Sequence, residues 1–207
     1  MGKGELHSEL DFFPLTPERW EDLELLFGEH GAYGGCWCMW WRLTRRQFEK
    51  QLGEENRLAL KAIVDSGEVP GILAYAGSYP VAWCSVGPRN SFPALERSRN
   101  LRRVDDLAVW SIVCFYVDKR WRGRGIMLPL LKATISYARE QGAEVVEGYP
   151  IEPGKRLSGS SGYTGIVSTY RRAGFVEVLR RKEHQPIMRY FIAGGKSAAA
   201  EGERTRW

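Results

Sequence analysis

Trp110-Ser111-Ile112-Val113-Cys114-Phe115-Tyr116-Val117, followed closely by Arg120-Trp121-Arg122-Gly123-Arg124-Gly125-Ile126, is the stretch on which the reading of this 207-residue chain turns. Its first part is rich in β-branched and aromatic residues, the composition of a buried strand. From Ile126 to Gln141, Leu130, Leu131, Ile135 and Ala138 recur at helical spacing and predict an amphipathic helix. A strand thus runs through a tight basic turn into a helix. A helix start leaves its first amides without internal partners and carries partial positive charge, so anions bind there. Two glycines let the backbone approach a phosphate and accept positive φ, while Arg120, Arg122 and Arg124 add directed donors.

The spacing narrows the phosphate ligand. Neither the dinucleotide pattern G-x-G-x-x-G nor the P-loop pattern ending in Gly-Lys-Ser/Thr is present. What stands here is Arg-x-x-Gly-x-Gly after an apolar strand, which resembles the acyl-coenzyme A signature of the GNAT acyltransferase superfamily. A second piece agrees in order and separation. Ser168-Thr169-Tyr170-Arg171-Arg172-Ala173-Gly174-Phe175 is similar to the family's short helix ending in Gly-Phe, and Phe175 opens the strand-like run to Leu179.

The resemblance implies an enzyme that transfers an acetyl group directly from acetyl-CoA to a primary amine of a small molecule or peptide. It implies that Arg122, Gly123, Arg124, Gly125 and Ile126 hold the pyrophosphate, and that backbone around Phe115, Tyr116 and Val117 receives the pantetheine arm. Tyr170 is the expected acid for the leaving thiolate, because a phenol near pKa 10 suits a donor better than a base. Glu147 is the expected base, with Asp105 and Asp106 as alternatives and a water chain as another route. Met127 departs from the small residue that often closes the turn. Tyr163 departs from the polar residue, often Asn, seven positions before the tyrosine, with Ser160, Ser161 or Thr164 as substitutes. A non-catalytic acyl-CoA-binding regulatory module is the alternative function.

Elsewhere, Leu10 to Leu15 reads as a strand and Thr16-Pro17-Glu18 as the start of a helix running to Phe27. Thr44 to Gln51 and Glu54 to Ser66 read as helices. Gly71–Ala76 and Val81–Val86 form a hairpin around Gly77-Ser78-Tyr79-Pro80. Val145 to Tyr149 and Pro186 to Ile192 are the later strands. An early hairpin followed by a strand-helix-strand unit argues an α+β fold, and the resemblance makes its sheet mixed, mostly antiparallel and split at one strand pair. One domain over residues 1–192 is expected, with a disordered tail over 193–207.

Trp37, Trp40 and Trp41 crowd the segment Gly34 to Arg42. Two readings stand: a wall of the acceptor pocket, with Trp37, Trp40 and Trp83 as candidate contacts, or aromatic core. Cys36 and Cys38 lack a second ligand pair at zinc spacing, since His7, His30 and His184 are scattered, so no metal is expected. Arg89, Arg97, Arg99, Arg102 and Arg103 fall in the connection before the phosphate-turn strand, either favouring an aromatic or anionic acceptor or serving packing and solvation. A net charge of +5 requires no nucleic-acid partner, because a polyanionic coenzyme accounts for the local basic cluster. The expected protein is cytoplasmic, with reduced thiols and no membrane association; a homodimer is left open.

Overall fold

In the computed structural model the described residues are 10–152 and 161–192, so the tail expected over 193–207 lies outside them. Seven strands form one sheet in the order β1-β2-β3-β4-β5-β7-β6. They are β1 (Leu10–Pro14), β2 (Gly71–Ala76), β3 (Tyr79–Pro88), β4 (Trp110–Val117), β5 (Val145–Gly148), β6 (Val176–Lys182) and β7 (Gln185–Phe191). Every neighbouring pair is antiparallel except β4 with β5. That parallel pair needs a crossover, and α5 (Met127–Glu140) supplies it.

The helix forms because its apolar residues fall on one stripe: Leu130, Leu131, Thr134, Ile135 and Ala138 are buried against the sheet. The α5 face also takes Ala82, Cys84 and Val86 of β3 and Ile112 and Phe115 of β4. The opposite face carries α1 (Trp20–Phe27), α2 (Arg45–Lys50) and α3 (Glu54–Asp65). Trp83, Leu73 and Tyr75 pack there against Trp20, Leu23, Phe27 and Trp37. Thr44 opens α2 with a capping box, its hydroxyl accepting from the Gln47 amide. The connection between β3 and β4 is not bare loop, since it holds α4 (Pro93–Arg97) and buries Phe92, Leu95 and Leu101 beside β5 and β7. Between β5 and β6, α6 (Val167–Arg172) returns the chain to the sheet.

Two irregularities position the site. Ile112 and Phe115 share the α5 face although they are three residues apart, which an unbroken strand forbids. The register slip opposite Ser85 and Val86 resolves this: β4 bulges at Val113, turning Cys114 and Tyr116 toward the α1–α3 side. Pairing between β4 and β5 covers only Trp110, Ile112 and the residue between them. Beyond Ile112, the two strands part.

Candidate functional site

The basic turn sits on the open end of β4. Asp118 caps a short 3-10 turn over Lys119–Trp121 by accepting from the Arg120 amide at 2.8 Å. Arg120 is then occupied locally, by Asp118 and by the Tyr79 hydroxyl. Arg122 Nε donates to the Val117 carbonyl at 2.9 Å, and the Arg124 guanidinium lies 4.8 Å over the Trp121 ring. Gly123 and Gly125 have φ of 74° and 76°, values that side chains other than glycine seldom adopt. Residues Arg122 to Gly125 are exposed, while Ile126 anchors the turn in the core. Among the described residues, none of the amides from Gly123 through Met127 has a backbone acceptor. That row of donors at a helix start is a ready anion site. Met127 turns its sulfur toward Gly165.

Tyr170 reaches the place where β4 and β5 part. Its ring is fully buried, edge-on to Phe115 at 6.3 Å and to Phe175 at 4.7 Å. A Cβ on Gly148 would stand 2.2 Å from the ring and one on Gly165 2.8 Å from it, so both glycines make the slot that the ring fills. Among the described residues its buried hydroxyl has no partner, nor has that of Thr164 on the segment facing β4. Such groups are costly to leave unmade and point to a ligand. Burial pushes the Tyr170 phenol well above its ordinary pKa, which keeps it protonated.

Glu147 lies elsewhere in kind. It is buried, with one oxygen accepting from Arg89 and the Tyr149 hydroxyl and the other from Arg189 Nε, all at 2.7–2.8 Å. Arg89 continues to Glu96 and the Leu101 carbonyl, and Arg189 grips Asp105 with two bonds. The network fastens the α4 connection to β5 and β7. Arg89 is thereby structural, and so are Arg97 and Arg103, which bond the Leu43 carbonyl and Glu96. Neither Glu147 nor Asp105 lines a cavity described below.

A cavity of about 480 Å³ opens on the α1–α3 side of β4, bounded by Cys114 and Tyr116. Cys36, Cys38, Trp40 and Trp41 form one wall, Phe48 and Leu52 another, and Tyr163 with Thr164 closes the side toward α6. A shallower cleft shares Tyr33, Tyr116 and Tyr163 and extends to His30, Lys119 and Arg122, so the aromatic cavity is continuous with the basic turn. Of the tryptophans expected at the acceptor pocket, Trp40 lines this cavity. Trp37 and Trp83 instead fill the core, Trp37 stacked on Trp20 and Trp83 donating to Cys38 Sγ at 3.1 Å. The strand parity of Trp83 directs it to the α1 face, where Phe27 covers it.

Among the described residues the cavity wall has no Asp, Glu, Lys, Arg or His. Burial raises the Cys36 thiol to about 11, and a hydrogen bond with the Cys114 thiol together with burial holds Cys38 well above its ordinary value. Burial also raises the phenols of Tyr116 and Tyr163. Tyr163, in the position where the family often has Asn, lies tilted against Tyr33 at 5.4 Å. Ser160 lies outside the described residues. The sequence carries no local signature for Tyr33, Phe48, Leu52 and Cys114, because they come from three separate segments, with Phe48 and Leu52 at the end of α2 and the turn after it. The one local signal for them is backbone strain between Phe27 and Met39, where Ala32, Trp37 and Cys38 adopt positive φ among four glycines that do the same.

Similarities to known proteins agree with this geometry. The acetyltransferase (GNAT) family model matches residues 37–150. The PaiA N-acetyltransferase of Thermoplasma acidophilum, solved in complex with coenzyme A, superposes with a TM-score of 0.51 at 13% identity, over 88% of this chain and 99% of its own. A GNAT-family acetyltransferase from Listeria monocytogenes gives 0.56 at 11% identity, over 93% and 99%. At these identities the structures show a shared fold alone, and no curated protein matches by sequence. The family match covers more than half of the 207 residues, including the phosphate turn and the split strand pair. The chain belongs to the GNAT family of acetyltransferases.

Proposed function

We propose that this protein moves an acetyl group from acetyl-CoA directly to a primary amine. The observation that carries the reading is the coincidence, at one end of β4, of an unpaired strand edge, a row of unpartnered amides and a buried phenol with no hydrogen-bond partner. A pantetheine arm carries amides of its own and can pair with the free edge along Phe115, Tyr116 and Val117 as an added strand would. The amides of Gly123 to Ile126, with Arg122 and Arg124, then meet the pyrophosphate.

The proton roles follow from environment. Tyr170, held neutral by burial, passes its proton to the departing thiolate and takes up the one that the new amide nitrogen releases, so no buried phenolate persists. Glu147 is tied into two arginines, so its part is to fix β5 and β7 beside the split rather than to take a proton from the amine. Among the described residues the cavity wall carries no carboxylate, while the adjoining cleft holds Glu29 and His30, so the amine loses its proton at that cleft or enters neutral.

Titration with acetyl-CoA followed by a thiol-release assay over a panel of amines tests the reading. Saturable binding and amine-dependent release of free coenzyme A are expected. Binding with no release for any amine would favour a regulatory module that only senses acyl-CoA.

A further inference from the structure

We infer that the acceptor is an arylalkylamine, a primary amine on a flat apolar body, and that Tyr33, Trp40, Trp41, Phe48 and Leu52 hold that body. The inference rests on the amine-acetylating reading above and names its substrate class. A volume of about 480 Å³ is within the range of small-ligand pockets and suits one aromatic ring system with a short chain.

The wall decides between amines by charge. Among the described residues that line the cavity none is Asp, Glu, Lys, Arg or His, and burial keeps Cys36, Cys38, Tyr116 and Tyr163 uncharged. A diamine, polyamine or free lysine that sets its second ammonium or its carboxylate against this wall finds no charged partner among the described residues there, which burial penalises heavily, since Glu29, Lys119 and Arg122 lie out in the adjoining cleft. An aryl ring brings no such group. Trp40 and Phe48 already meet edge to face at 5.0 Å, and Trp40 is 47% exposed, an aromatic surface open to a further ring. The buried Thr164 hydroxyl on the same wall has no partner among the described residues, a polar point that can orient the amine while the ring is held. The strained wall at Ala32 and Cys38 supports a shape that the fold maintains rather than a gap in packing.

The test uses the full chain with acetyl-CoA and measures kcat/KM for 2-phenylethylamine, tryptamine, putrescine and lysine. The arylalkylamines are expected to exceed putrescine and lysine by about tenfold or more. Trp40→Ala should raise KM for 2-phenylethylamine about tenfold and leave KM for acetyl-CoA unchanged. Leu52 is half-exposed on the rim, so Leu52→Glu folds and should shift selectivity toward putrescine by giving its second ammonium a partner. Equal or better turnover of putrescine or lysine by the natural chain overturns the acceptor class and leaves acetyl transfer standing. An unchanged KM in Trp40→Ala overturns the placement of the ring. Bound acetyl-CoA with no transfer to 2-phenylethylamine or tryptamine overturns the acceptor class, and the transfer reading falls with it only where the wider amine panel also releases no coenzyme A.

Discussion

Tyr170 holds a hydroxyl that the fold alone does not use. Its ring supplies packing against Phe115 and Phe175, but the oxygen is buried and unpaired, so the free protein is expected to be as stable or more stable without it. Tyr170→Phe should therefore leave the melting temperature unchanged or raised and acetyl-CoA affinity within about twofold, while kcat falls at least about tenfold. Equal kcat would assign the proton to water. Gly148→Ala is the complementary change: its new Cβ would stand 2.2 Å from the ring, so the tyrosine must leave its slot and stability falls with activity, by about 1–3 kcal/mol in urea unfolding. The tyrosine was legible in the sequence because its distance to Gly174-Phe175 is a local pattern. The slot was not, because Gly148 and Gly165 come together only when β5 and α6 have packed. Trp37 and Trp83 make the same point from the other side, since a tryptophan announces burial and not which face of the sheet will bury it.

At the scale of elements, the α4 connection and strands β5 and β7 form one electrostatic unit around Glu147. The strands themselves were legible from β-branched runs. The network was not, since Arg89, Asp105, Glu147 and Arg189 are far apart in sequence and ordinary in composition. Removing the central charge leaves each of two buried guanidinium groups with a single carboxylate at the edge of the network, Arg89 with Glu96 and Arg189 with Asp105. Glu147→Gln is therefore expected to destabilise by about 1–3 kcal/mol in urea unfolding. A residue acting only as a base would instead lose kcat at unchanged stability. The outer end of the network has a pH signature. Hydrogen bonds from Arg189 hold the Asp105 carboxyl below its usual value of 3.8, so its contribution is present above that value and is lost as pH falls through the lower folded one. Melting temperature should drop more steeply below about pH 4 in the natural chain than in Asp105→Asn. Parallel acid limbs would remove Asp105 from the account.

For the molecule as a whole, the sheet is complete except where β4 leaves β5, and the fold keeps that gap by a bulge, a short β5 and a helix that begins at the phosphate turn. The α+β order was readable because each element carries its own periodicity. The bulge at Val113 was not, because it depends on what β3 presents across the ladder. An open edge of this kind makes the coenzyme part of the folded state's stability. Acetyl-CoA at a hundred times its Kd should stabilise by about 2.7 kcal/mol, a rise of roughly 5–10 °C in melting temperature for a chain of this size. Gly123→Leu separates this effect from the fold. Among the described residues no heavy atom stands within 4 Å of a Cβ there, so the side chain projects into the space proposed for the pyrophosphate, and the positive φ costs the free protein about 1–2 kcal/mol. The variant should melt a few degrees lower without ligand and gain little from acetyl-CoA. A full rise in Gly123→Leu would mean that the phosphates are held somewhere other than the turn between β4 and α5.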